Sequence, residues 1–272
     1  MSNTKEEPKK KSLNRIIAEI NKKNGDQIIG RIKDLKTLEV ERIQTKLPVI
    51  DDALGGGFPM RRIIELYGLP SGGKSLISML IIKSAQEKGL ECVYVDVEDS
   101  FDPKWAKQIG VDTDKLIIAQ SMVGEDTMEM VCTLLAGEPA VIVVDSVAAM
   151  IPRAEQEEKL EKPTMALKAR LMSRGLAKIN SLNKNTLIVF INQIRATMAL
   201  YGAQTTTTGG RSLGHYASIR MEVKKGQTLH VEDKKTKPVI GQIVNFYVTK
   251  NKTAPPFKTG SFKFYYDDCR IE

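Results

Sequence analysis

No run of eighteen apolar residues occurs in the chain, which excludes an ordinary membrane-spanning helix. No hydrophobic leader follows Met1 either. The chain opens on the polar, basic stretch SNTKEEPKKK, so a protein that stays in the cytosol is expected. Cysteine is scarce: Cys92, Cys132 and Cys269 are widely spaced and form no CxxC pair. That argues against a disulfide scaffold and against a cysteine zinc site. Cys92 and Cys132 lie in apolar surroundings and read as core thiols. Acidic residues are in deficit, 33 against 41 basic ones, which leaves a formal charge of +8 and favours an anionic partner, nucleic acid being the common one. Charge of this kind carries no sequence preference, because contacts to phosphate carry none. Neither an internal repeat nor a second large domain is visible.

What is present suits one α/β domain with small additions: 272 residues, 42% of them hydrophobic, enough for a core and too many for global disorder. Residues 1–12 read as a flexible basic tail. Leu13, Ile16, Ile17 and Ile20 then fall at helical spacing and predict a short helix with one apolar face, which needs a surface to pack on. Strands are expected over Ile63–Tyr67, Cys92–Asp96, Ala140–Val144 and Thr186–Asn192. Helices are expected over Leu76–Gly89, Pro103–Ile109, Asp126–Ala136 and Ala166–Leu182. This alternation predicts a mostly parallel sheet covered on both faces. Gln204–Arg211, rich in Thr and Gly, reads as a mobile loop. Beyond it Tyr216–Val223, Gln242–Lys250 and Ser261–Tyr266 are strand-like and suggest an antiparallel extension at one sheet edge.

Gly68-Leu69-Pro70-Ser71-Gly72-Gly73-Lys74-Ser75 matches GxxxxGK[ST], after a predicted strand and at the opening of a predicted helix. In that context the backbone N–H groups and the helix N-terminus cradle phosphates. Lys74 would reach the β and γ phosphates and Ser75 would hold Mg²⁺. The apolar strand VIVVD ends in Asp145, a second candidate for the metal. A water-orienting acid is also needed. Glu98, just past a strand end on the same sheet edge, is the first candidate, with Asp96, Asp99 and Asp102 as rivals.

Several motifs taken together resemble bacterial and phage RecA recombinases over about Ile50 to Phe264: LGGGFPMRRIIELYGLPSGGKS, YVDVEDSFDP, VIVVDSVAAMIPRAE, FINQIR, TTTTGG and VTKNKTAPPFK. The resemblance implies a RecA-type P-loop ATPase core in the α/β class. It implies an ATP- and Mg²⁺-dependent enzyme that forms a helical filament on single-stranded DNA and exchanges strands with a homologous duplex. It sets the protein in the cytoplasm of a bacterial cell or a phage-infected host. By the same resemblance Glu98 is the catalytic base and Gln193 senses the γ-phosphate. Asp102 and Trp105 meet adenine, tryptophan standing where a tyrosine is usual. Lys250 and Lys252 reach the ATP of the adjacent subunit, although by themselves they read as a salt-bridged strand edge. Two DNA-binding loops are implied, roughly Arg153–Met165 and Arg195–Gly209. Their contacts would come from Met165 and Arg170, then from Arg195, Met198, Thr208, Gly209 and Gly210, with Met198, Leu200 and Tyr201 as wedges or stacking groups. The N-terminal helix, within residues 1–35, would pack on the next subunit and build the filament, and 36–272 would form the core.

Three departures from the family pattern stand out. The chain ends at Glu272 where bacterial relatives continue into a C-terminal domain, so a natural short form or a truncation is expected. The second loop is about one residue shorter, and His215 replaces an aromatic at the assembly interface. Two rival functions keep their place: a hexameric helicase or other motor of the same fold, marked by closed rings, and a regulatory DNA-binding module, marked by absence of DNA-stimulated hydrolysis.

Overall fold

The computed structural model describes residues 12–25, 28–31, 40–157, 165–196, 205–233 and 237–272. The expected basic tail therefore lies, apart from Ser12, outside the described residues, as do Met198, Leu200 and Tyr201. Contacts divide the chain into two units at Val40/Glu41. In the first, α1 (Leu13–Asn24) forms where the apolar spacing predicts it. It ends on Gly25, whose left-handed φ of 68° closes the last turn, and Lys22 and Lys23 complement the carbonyl end of the helix.

The second unit opens with an antiparallel ribbon of β1 (Arg42–Ile43) and β2 (Phe58–Pro59) around α2 (Pro48–Leu54). Its centre is a nine-stranded sheet among the described residues. The strands in chain order are β3 (Ile63–Gly68), β4 (Cys92–Asp96), β5 (Ile117–Gln120), β6 (Val141–Asp145), β7 (Leu187–Ala196), β8 (Thr205–Thr207), β9 (Ile219–His230), β10 (Val239–Asn251) and β11 (Thr259–Tyr265). They lie in the order β11-β10-β9-β3-β7-β6-β4-β5, with β8 paired to β7. From β5 to β9 all neighbours are parallel, and β9, β10 and β11 are antiparallel. This is the predicted parallel sheet with an antiparallel edge.

Apolar runs without alternation make sense in such a sheet, since both faces are covered. Val141 and Val143 of β6 join one core with α3 (Lys74–Gln86) and α4 (Pro103–Ile109). Ile142 and Val144 point the other way, into a core with α5 (Gly124–Leu134) and α7 (Met165–Leu182). Cys92 and Cys132 are buried as expected, and so is Cys269.

Three local expectations change. Residues 205–207 of the expected loop are a strand on β7, in register Arg195↔Thr206. The strand expected from Tyr216 begins at Ile219, because α8 (Ser212–Tyr216) precedes it, and it runs on to His230. The first expected DNA loop begins as a short helix, α6 (Arg153–Glu157); residues 158–164 are outside the described residues.

Candidate active site and DNA interface

The chain leaves β3 for α3 through the glycine-rich turn, and neighbouring strands explain the glycines. A Cβ on Gly68 would stand 2.1 Å from the Val223 carbonyl oxygen of β9. Gly73, the residue before α3, holds φ at 104°, where a side chain is strained, and a Cβ there would also meet Val244 at 2.9 Å. The turn therefore lies close on the sheet and lines a cavity of about 330 Å³. Ser71, Gly72, Gly73, Lys74 and Ser75 form one wall, and Asp102 and Trp105 of α4 another. Gly68 and Pro70 shape the turn without lining the cavity.

Lys74 is buried, and its ammonium donates to the Gly68 and Leu69 carbonyls at 3.2 and 2.7 Å. Burial lowers its pKa, opposed by Asp145 and Glu98. Asp145 ends β6 in register with Asp96 of β4, and one of its oxygens accepts from Tyr94 Oη at 2.6 Å and from Ser75 Oγ at 2.9 Å. Burial raises the Asp145 pKa against those two hydrogen bonds. Among the described residues no three carboxylate, histidine or cysteine side chains converge on a metal position. A hard divalent cation that keeps waters and binds phosphate oxygens needs only one hydroxyl and one carboxylate from protein. Ser75 and Asp145, already in contact, fit that demand.

The four rival acids separate cleanly. Asp96 is spent on structure: it is buried and accepts from the Ser100 and Phe101 amides. Asp99 accepts from Gln120. Asp102 caps α4, taking the Lys104 and Trp105 backbone amides on Oδ1, and both Asp102 and Trp105 line the cavity. Glu98 is the one of the four that bonds to residues carried by β6 and β7. Its Oε1 accepts from Ser146 Oγ and, at 3.1 Å, from Gln193 Nε2. The Asp145–Ser146 peptide, just before the first of these neighbours, is cis. Sequence reasoning missed Tyr94, Ser146 and Phe264, the last also lining the cavity. Only Ser146 left a signal, its place beside Asp145.

Lys250 and Lys252 are not at this cavity. Register places Lys250 beside Arg220 and Glu65, at the end of the sheet where β3 begins. Its ammonium donates to the Gly214 and His215 carbonyls at 2.7 and 3.1 Å. From there to the end of β3 is roughly 10 Å along the strands and two strand spacings, about 10 Å, across, beyond the reach of a lysine side chain. The two lysines face away from the cavity of their own chain.

The loop elements expected to meet DNA do converge. Gly209 and Gly210 lie against α7: a Cβ on the first would meet Met172 Cγ at 3.0 Å, and one on the second Ala169 Cβ at 3.1 Å. Arg170 is exposed on the same helix, beside a groove shared with Glu125 and Glu129 of α5, and Arg195 is exposed at the end of β7. Thr208 follows β8, and its N–H donates to the Gln193 carbonyl at 3.2 Å. Met165 begins α7.

The family described as RecA N-terminal domain matches residues 11–270. The chain belongs to the RecA family. Protein RecA of Fusobacterium nucleatum subsp. nucleatum is 43% identical over 268 residues, 97% of this chain and 70% of that protein. Protein RecA of Mannheimia haemolytica is 39% identical over 267 residues, 96% and 72% of the two chains. As a RecA-family member the chain is an ATPase of homologous DNA recombination. No helix among the described residues is long and apolar enough to cross a membrane.

Proposed function

We propose that the chain exchanges DNA strands as a filament on single-stranded DNA, with each ATP held between two subunits. One observation carries this reading. The candidate catalytic acid Glu98, the strand residue Gln193 and the Thr208–Gly210 segment form one hydrogen-bonded path from the cavity rim to the DNA elements.

In this reading the triphosphate lies along the turn 71–75, and the Lys74 ammonium exchanges its two carbonyl partners for phosphate oxygens. Ser75 and Asp145 would hold Mg²⁺, which would supply neutralisation of phosphate charge. Asp102 and Trp105 flank the base, Trp105 offering a flat face. Glu98 orients the attacking water, and Ser146 and Gln193 orient Glu98. When Gln193 turns to a γ-phosphate oxygen it leaves Glu98 and pulls on the strand that leads into the second loop, a ligand-gated ordering of a segment. Lys250 and Lys252, turned from their own cavity, complete the phosphate site of the adjacent subunit. Arg170, Arg195, Thr208, Gly209 and Gly210 grip the DNA backbone, joined by Met165 and Met198, and recognition of sequence is left to base pairing between strands. A homologous duplex is the second substrate, and α1 serves assembly.

Steady-state ATP hydrolysis, with and without single-stranded DNA, tests the reading on the wild type, Glu98→Gln and Lys252→Ala. Strong stimulation in the wild type is expected, with a loss of about 100-fold or more in Glu98→Gln and of the DNA-stimulated part in Lys252→Ala. Hydrolysis indifferent to DNA, or closed rings in place of filaments in electron micrographs, would move the chain to another motor of this fold.

A further inference from the structure

One carboxylate that no step above uses lies at the crossing of the two sheet ends. Glu65 sits in the middle of β3 and is fully buried, with both oxygens engaged. Oε2 accepts from Arg220 Nε at 2.5 Å across to β9. Oε1 accepts from Asn192 Nδ2 at 3.0 Å across to β7.

Each partner leads to one half of the proposed machinery. Asn192 precedes Gln193, and its amide makes four bonds. Nδ2 donates to Glu65 and, at 3.1 Å, to the Thr208 carbonyl. Oδ1 accepts from Thr208 Oγ1 and, at 2.9 Å, from the Gln193 amide. This single side chain therefore sets where the Thr-Gly-Gly segment leaves the sheet and how Gln193 is presented to Glu98. On the other side the Arg220 guanidinium lies 4.8 Å from the Tyr67 ring centre. Tyr67 Oη donates to Thr249 Oγ1 at 3.0 Å, and Thr249 adjoins Lys250. The segment from Thr208 through α8 to Ser218 spans from one sheet end to the other, and Glu65 holds what flanks it at both.

The negative charge matters for a specific reason. An ionised carboxylate only accepts, so it holds Asn192 with Nδ2 toward Glu65, the orientation in which Nδ2 also meets the Thr208 carbonyl and Oδ1 is left for Thr208 Oγ1 and the Gln193 amide. A glutamine of equal size either sets its Nε2 donor against Arg220 or turns that donor on Asn192 Nδ2, so one of the two partners loses its acceptor. We infer that Glu65 is a positioning residue for DNA-coupled hydrolysis, locking Asn192 in one orientation while anchoring Arg220 beside the lysine strand. This inference rests on the strand-exchange reading above.

The test uses the full chain and three readouts: nucleotide binding by the fluorescence of Trp105, the single tryptophan; hydrolysis without DNA; and hydrolysis with increasing oligo-dT. For Glu65→Gln, binding and unstimulated hydrolysis are expected within about twofold of wild type. The DNA-stimulated rate should fall about tenfold, with a higher half-saturating oligo-dT concentration, within the range typical of coupling between sites. A merely structural role would lower all three readouts together, and that outcome overturns the assignment, as does unchanged stimulation. Should Glu65→Gln fail to fold, Glu65→Leu/Arg220→Met removes both charges and keeps the interior apolar, which buried pairs tolerate. The same selective loss is expected there, and wild-type stimulation in that variant overturns the inference. A wild type that DNA does not stimulate defeats the strand-exchange reading itself, and the inference with it.

Discussion

At the scale of single residues, the site is set by which hydroxyl meets which carboxylate. Asp145 and Glu98 stand at the ends of neighbouring parallel strands, and each takes a hydroxyl donor, Tyr94 for the first and Ser146 for the second, to which the sequence reading gave no role. Tyr94 is the telling case. In the pattern VYVD it reads as one more core aromatic, and its ring does pack on Phe101 with centroids 5.0 Å apart. Its phenol nonetheless donates to Asp145, and burial together with that carboxylate raises its pKa, so the proton stays on the tyrosine. Tyr94→Phe removes one hydrogen bond to the carboxylate proposed to hold Mg²⁺ and adds no bulk. A bond to a charged group contributes about 1.5–3 kcal/mol, so the Mg²⁺ concentration that half-saturates nucleotide binding is expected to rise roughly 10-fold. Titrating Mg²⁺ against Trp105 fluorescence at fixed ATP checks this, and an unchanged midpoint would show that Tyr94 only fills space. The four acids at and after the end of β4 teach the same lesson. Position put Glu98 first but could not dismiss Asp96, Asp99 and Asp102, because that depends on which carboxylates the loop's own amides and Gln120 consume.

At the scale of elements, the parallel core was legible and the irregular joints were not. The strand Cys92–Asp96 and the helix Pro103–Ile109 are found at the expected bounds, since an apolar run and an Asp-Pro start are local signals. Edge strand β5 was missed although Leu116–Ala119 is apolar: the run is short, and at the sheet edge Ile117 and Ile118 stay exposed. Nor did β8 announce itself, because Thr205–Thr207 looks like a polar loop until β7, running four residues past its expected end, offers it a partner. That pairing brings Gly209 against α7 with φ at 82°. Gly209→Ala puts a Cβ 3.0 Å from Met172 Cγ and strains the backbone, a cost of about 1–2 kcal/mol that falls on the docking of this segment. Single-stranded DNA affinity, measured by fluorescence anisotropy with a nonhydrolysed ATP analogue, is expected to drop about 5- to 30-fold. The Trp105 nucleotide titration should stay where it is, since the cavity lies on the other side of β7's rim.

For the whole molecule, the strand-exchange reading proposed above makes one chain carry two halves of a site facing apart. The turn 71–75, Asp145 and Glu98 occupy the end of the sheet where the parallel strands finish, and Lys250 and Lys252 stand where they start. No motion of a side chain joins them within one chain, and a head-to-tail contact between copies does so naturally, generating an open helix rather than a closed dimer. Nothing in composition or periodicity announces this. It emerges only when strand register assigns each residue to an end of the sheet, which is why the two lysines read locally as an ordinary charged strand edge. The arrangement predicts complementation. Glu98→Gln subunits have a dead acid and sound lysines; Lys252→Ala subunits have the reverse. In a random one-to-one mixture about one neighbour contact in four pairs a sound Glu98 with a sound Lys252 of the adjacent subunit. DNA-stimulated hydrolysis of the mixture should therefore rise well above that of either variant alone, toward about a quarter of the wild-type rate. If both groups instead served the nucleotide of their own chain, every site in the mixture would carry one defect and mixing would restore nothing.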